Sequence, residues 1–201
     1  MRINLNTISS KQKLTINKGL LDYQYIMEHW ETNDKDFQDV YYDFYLKARW
    51  AVMSDEENSK AYFDELQAIT ENSNLMDVIE DLKNTMNKKN LEFSLGSKLL
   101  HTRNPNSPIY DSKVRIYLSE NENVEFWWGT RNKRMYGNPP PRNLSEKDKI
   151  YHDWNNLCQW YTNFLQSSRG NEWIEWFDNN FPEYSTISNV KKIDFIIFAA
   201  T

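Results

Sequence analysis

Cysteine is nearly absent: a lone Cys158 in 201 residues can close no internal disulfide and offers no thiolate cluster for zinc or iron–sulfur chemistry. Histidine is almost as scarce. His29, His101 and His152 stand far apart, without the H-x-x-x-H spacing of a helical metal site, so neither a metal nor a cofactor is expected. No apolar run approaches the roughly 20 residues that span a bilayer, and the first residues carry no signal-peptide-like apolar stretch. The expectation is a cytoplasmic chain with no membrane partner. No long apolar/polar alternation argues for strands, no repeat of fixed period is present, and no Ser/Gly linker divides the chain.

What is abundant is large apolar surface. Hydrophobic residues make up 39% of the chain, with 8 Trp, 12 Tyr and 10 Phe, enough to offset the ordering entropy of one well-buried domain over residues 1–201. Helical spacing dominates. Phe37, Val40, Tyr41, Phe44, Ala48 and Val52 form one apolar stripe, Leu75, Val78, Ile79, Leu82 and Met86 a second, and Trp154, Leu157, Cys158, Tyr161 and Leu165 a third. The second half of the chain adds start and stop signals: Ser145 with Asp148 reads as an N-terminal capping pair, and Gly170 as the stop for the third stripe. The fold class expected is all-α, with about seven to nine helices. Lys113 to Leu118 alternates well enough to leave helix and strand both open. Residues 119–143, holding Gly129, Gly137 and three consecutive prolines, read as an irregular loop.

The net charge of −5 argues against a surface that grips nucleic acid everywhere. Its distribution is uneven. Residues 93–117 carry Lys98, Arg103, Lys113 and Arg115 against Asp111 alone, and 126–142 carry Arg131, Lys133, Arg134 and Arg142 with no acid. A basic island therefore lies inside an acidic body, and DNA is the partner it fits, while protein partners stay open. Around the second cluster, Trp127, Trp128 and Tyr136 interleave rings with cations, the combination that stacks unpaired bases. The plain alternative is a loop whose rings pin it to the core while its charges stay wet.

Chemistry concentrates in 93–118. Gly96-Ser97 ahead of Lys98 suggests a helix start whose free N–H groups face an anion such as phosphate. Asn104-Pro105-Asn106-Ser107-Pro108 ends that helix, and Asp111 stands where the next begins. The pair Gly96-Ser97-Lys98 and Pro108-Ile109-Tyr110-Asp111-Ser112-Lys113-Val114 resembles, in order, two elements of the helix-hairpin-helix DNA glycosylases, and more closely the small bacterial proteins described as 8-oxoguanine DNA glycosylase-like. The final helix of that smaller family is similar to Asn189-Val190-Lys191-Lys192-Ile193-Asp194.

The resemblance implies a helix-hairpin-helix glycosylase-like fold and a division of labour. Lys98 would attack the sugar C1′ and form a Schiff base, Asp111 would stabilise the oxocarbenium-like sugar or accept a proton, and a damaged base would be flipped into an aromatic pocket. Gly96, Ser97, Arg103, Lys113, Arg115, Arg131, Lys133 and Arg134 would hold the nucleic acid. The residues also allow blander roles: Lys98 as a solvated lysine, Asp111 as a helix cap worth about 1 kcal/mol, His101 as a cover for the hairpin and Asp194 as a partly buried carboxylate paired with a neighbouring cation. Three functions stay open at this point: a DNA glycosylase or lyase, a non-catalytic helical module that binds nucleic acid or protein, and a structural helical protein.

Overall fold

Nine α-helices account for most of the described chain, and no strand occurs among the described residues. The structure is a computed structural model that describes residues 2–47, 53–86, 88, 90–128, 141 and 143–201. The helices are α1 (Ser10–His29), α2 (Lys35–Tyr41), α3 (Glu56–Ala68), α4 (Leu75–Thr85), α5 (Phe93–Arg103), α6 (Ser112–Asn121), α7 (Glu146–Leu165), α8 (Ser168–Asn180) and α9 (Asn189–Ala200). The all-α expectation holds, and the ambiguous Lys113 to Leu118 stretch is helical within α6.

Polar side chains fix where most helices begin. Asp34, Asp55, Asn74, Asp111, Ser145, Ser167 and Ser188 each cap a helix by accepting a backbone N–H that the first turn leaves unpaired. At α7 the cap is reciprocal, as the Ser145 and Asp148 spacing predicts: Asp148 N–H donates to Ser145 Oγ at 3.1 Å and Ser145 N–H to Asp148 Oδ2 at 3.1 Å. Gly170 does not end α7. It lies in the first turn of α8, where a Cβ would stand 1.9 Å from the Phe164 carbonyl oxygen, so its bareness serves the tight α7–α8 corner.

The chain divides into two compact units, Asn17–Asn104 and the remainder, Met1–Ile16 with Pro105–Thr201. In the central unit α3, α4 and α5 pack on one another, and α5 is its most enclosed helix: Phe93 and every residue from Leu95 to Thr102 are buried. The α4 stripe read from the sequence, Leu75, Val78, Ile79 and Leu82 with Met86, is buried as a set. The Phe37 stripe begins as α2 and continues as a π-helical turn over Tyr42–Leu46, while Ala48 and Val52 lie outside the described residues. In the terminal unit α9 touches α6, α7 and α8, and Val190 to Ile197 are buried without a break. A helix buried on every side is a core helix.

Gly96 makes the contact between α4 and α5. A Cβ there would sit 2.3 Å from Ile79 Cγ2 and 3.6 Å from Leu75 Cδ1. Gly96→Ala is expected to cost about 1–3 kcal/mol, the price of overpacking a filled core, read as a lower urea midpoint at unchanged m-value. An unchanged midpoint would mean that the two helices separate freely.

Candidate functional site

Asp111 is placed by the rule that governs helix starts. Its extended backbone precedes α6, and its Oδ1 accepts the Lys113 N–H at 2.8 Å. The carboxylate is half-buried, and among the described residues its Oδ2 makes no hydrogen bond. One oxygen is committed to the fold while the other is open to chemistry, at the positive end of a helix dipole.

A second carboxylate is buried in the same unit. Asp194, 1% exposed on α9, accepts a very short hydrogen bond on Oδ1 from the Tyr161 hydroxyl of α7, and its Oδ2 has no partner among the described residues. Burial dominates its proton affinity, pushing the carboxyl from 3.8 up to about 6; Lys191 and the Tyr161 bond oppose the rise and the charge of Asp111 adds to it. The sequence expected a cation beside Asp194. Its hydrogen-bond donor is instead a tyrosine, and Lys191, 5% exposed, acts as the nearby charge.

A third carboxylate organises the start of the 119–143 segment. Asp153, fully buried on α7, accepts from the Trp127 N–H at 2.6 Å, the Trp128 N–H at 2.8 Å and the Tyr110 hydroxyl at 2.9 Å. Its pKa is raised by burial, which the two backbone donors only partly offset. Arg115 on α6 completes the lock by donating to the Trp128 carbonyl at 2.8 Å. The His152 ring lies flat on Trp127, centroids 3.3 Å apart, with Nδ1 3.2 Å from Asp153 Oδ1.

The other residues proposed from the sequence distribute as follows. Gly96, Ser97 and Lys98 are not at a helix start. α5 begins three residues earlier, at Phe93, and the Gly96 N–H is spent on the Glu92 carbonyl at 2.9 Å, so this segment presents no free N–H cradle for phosphate. The reason is the apolar spacing of Phe93, Leu95, Leu99 and Leu100, which the core uses from Phe93 onward. Lys98 is 4% exposed, and its Nζ donates to Ser94 Oγ at 2.7 Å and to the Ser94 carbonyl at 3.2 Å. It is a buried lysine rather than a solvated one. His101, also buried, meets the Tyr23 hydroxyl at 3.2 Å instead of facing water.

Arg103 ends α5 with its guanidinium 3.6 Å above the Trp30 ring. Lys113 is exposed and donates to the Phe198 carbonyl at 3.2 Å. Trp127 and Trp128 are half-buried, and the stacked His152 covers one face of Trp127, so a base has at most its other face. Arg131, Lys133, Arg134 and Tyr136 lie outside the described residues. Asp111, Lys113, Arg115, Trp127 and Trp128 belong to the terminal unit, and Gly96, Ser97, Lys98 and Arg103 to the central one.

Sequence reasoning passed over Asp153 and Tyr110. The usable signal was a carboxylate at position 153 on the face that also carries Ile150, Leu157, Tyr161 and Phe164. A shallow cleft of about 310 Å³ between the 123–125 segment and α7 is lined by side-chain amides, Glu125 and Trp160, and includes none of the residues proposed from the sequence. Comparison with known proteins finds no matching family model, no matching curated protein and no matching solved structure. The functional reading therefore rests on this chain's own residues. Among the described residues, no helix is long and apolar enough to cross a membrane.

Proposed function

We propose that the protein is a DNA glycosylase-like enzyme that cleaves the N-glycosidic bond of a modified base, with Asp111 as the acting carboxylate. The observation that carries the reading is the state of Asp111: a half-buried carboxylate at a helix start, one oxygen committed to the cap and the other unpartnered among the described residues. Such an oxygen can take the proton of an attacking water or face the positive charge that develops on the sugar. Lys113 and Arg115, on the first two turns of the same helix, supply cations beside it.

Lys98 fits less well as the nucleophile, because a buried amine held by Ser94 has no open line to a sugar carbon. The reaction proposed is hydrolysis, with lyase chemistry through Lys98 as its rival. Release of 8-oxoguanine from a duplex is expected to fall about 100-fold or more in Asp111→Asn, in the range of a lost general base, while Lys98→Gln retains base release and borohydride traps no covalent adduct. An Asn keeps the cap, so lost activity would not reflect a lost helix start. A Lys98-dependent adduct would replace hydrolysis by lyase chemistry. No release in any variant, with salt-sensitive duplex binding intact, would leave a nucleic-acid-binding module.

A further inference from the structure

A side-chain amide carries both donors and an acceptor, so a cleft lined by several of them selects a ligand by its hydrogen-bonding groups rather than by its charge. The cleft between the 123–125 segment and α7 is of this kind. Its volume of about 310 Å³ lies at the lower end of small-molecule sites, about 300–1,000 Å³. Asn156, Gln159, Trp160 and Asn163 follow one another at the spacing of a single face of α7, and their seven-residue span rises about 10 Å. Asn123, Val124 and Glu125 form the opposite wall. No lysine, arginine or histidine lines the cleft, and Glu125 is its one charge.

Both walls are held by contacts within the terminal unit. Asn156 Nδ2 donates to the Glu125 carbonyl at 2.9 Å and lies 3.2 Å from His152 Nε2. The Val124 N–H donates to the Leu118 carbonyl at 3.2 Å, and the Val124 carbonyl accepts from Ser119 Oγ at 3.1 Å. Asn123, at φ 55°, makes the left-handed turn from α6 into this wall, a conformation that asparagine tolerates. The Trp160 ring is stacked on Phe164 at 4.6 Å between centroids, with Tyr161 edge-on at 4.9 Å. The hydrogen-bonding capacity of the cleft is left over. Among the described residues, the exposed side chains of Asn123, Gln159 and Asn163 make no hydrogen bond, and Asn156 Oδ1 accepts none.

We propose that this cleft binds an uncharged glycan of disaccharide length, laid along α7. A sugar hydroxyl is donor and acceptor at once, as each amide is, and the row of amides is longer than one sugar ring or one nucleobase. The indole of Trp160 gives the C–H face of a ring an apolar wall, and the Glu125 carboxylate accepts from hydroxyls. Phosphorylated or acidic ligands are opposed, because Glu125 repels them and no cation answers. A nucleobase asks first for stacking rings, and one aromatic side chain lines the cleft against four amides. Affinity is expected in the millimolar range, since exposed amides must be ordered on binding. None of the lining residues belongs to the Asp111 site, so this binding stands or falls apart from base release.

The test is a titration of the nitrogen-15-labelled full chain with cellobiose, maltose, lactose, mannobiose and N,N′-diacetylchitobiose, read on side-chain amide and indole N–H signals. At least one disaccharide should shift the Gln159 and Asn163 amides together with the Trp160 indole. Gln159→Ala and Asn163→Ala should each weaken that binding about fivefold, the worth of one neutral hydrogen bond, with unchanged melting temperatures because both side chains are exposed. Glu125→Gln, which keeps an acceptor and removes the charge, should retain binding. Silence across the panel would overturn the proposal, as would shifts that neither alanine variant weakens. Adenosine or tetramethylammonium binding more tightly at the same signals would also overturn it, in favour of a base or a cation site.

Discussion

Replacing Asp153 by Ala is expected to remove about 3–5 kcal/mol of folding stability, the range for breaking a buried charged hydrogen-bond centre. Asp153 is fully buried and receives the Trp127 and Trp128 N–H groups and the Tyr110 hydroxyl, with His152 Nδ1 at 3.2 Å. Alanine would leave several donors without an acceptor, and each buried orphan costs about 1–3 kcal/mol. A small domain holds only about 5–15 kcal/mol in total, so the variant should sit near its unfolding threshold at room temperature. Denaturant melts followed by tryptophan fluorescence would measure it. Asp153→Asn, which keeps one acceptor oxygen, should fall between the two. A loss under about 1 kcal/mol in the alanine variant would mean that the 123–128 segment is held by other contacts.

The second large effect is a pH dependence carried by Asp194. Its carboxyl rises from 3.8 in the unfolded reference to about 6 in the folded chain, mainly through burial. The folded state therefore binds this proton more tightly than the unfolded state does. The associated stability is complete below about pH 4 and is lost as pH climbs through about 6. A shift of about 2 pH units corresponds to roughly 3 kcal/mol. Asp194→Asn cannot ionise, and its side-chain oxygen can still accept from Tyr161. The stability of this variant relative to wild type should thus rise by roughly that amount between pH 4 and 7 and then level off. Asp153, also raised by burial, contributes a slope of the same sign in both proteins and cancels in the difference. A difference that stays constant with pH would show that Asp194 is solvated in solution.

The two predictions concern residues that the sequence treats unequally. Asp194 was legible as a carboxylate beside an apolar run, because Phe195, Ile196 and Ile197 follow it directly. Its donor was not, because Tyr161 lies 33 residues away on another helix. Asp153 was hidden for the same reason: its partners come from 26 and 43 residues upstream. Asp111 was readable as a helix cap, since a cap acts on a neighbour two residues on. Lys98 misled. A Gly-Ser-Lys string has the local chemistry of a phosphate-binding helix start, but the apolar residues flanking it drew the helix start back to Phe93.

By itself the sequence determined the helical class, the second core stripe and the helix start at Asp111, whereas of the third stripe only Leu157 and Tyr161 are buried and the buried face of α7 runs instead through Ile150, Asp153 and Phe164. What it determined depends on interactions within about one or two turns, where periodicity and side-chain caps act. Only the tertiary structure decided which polar groups are buried and what they meet. Burial and long-range hydrogen bonds are properties of packed helices, and they turn a surface-looking lysine into a core residue and an ordinary aspartate into a carboxyl that holds its proton to about pH 6.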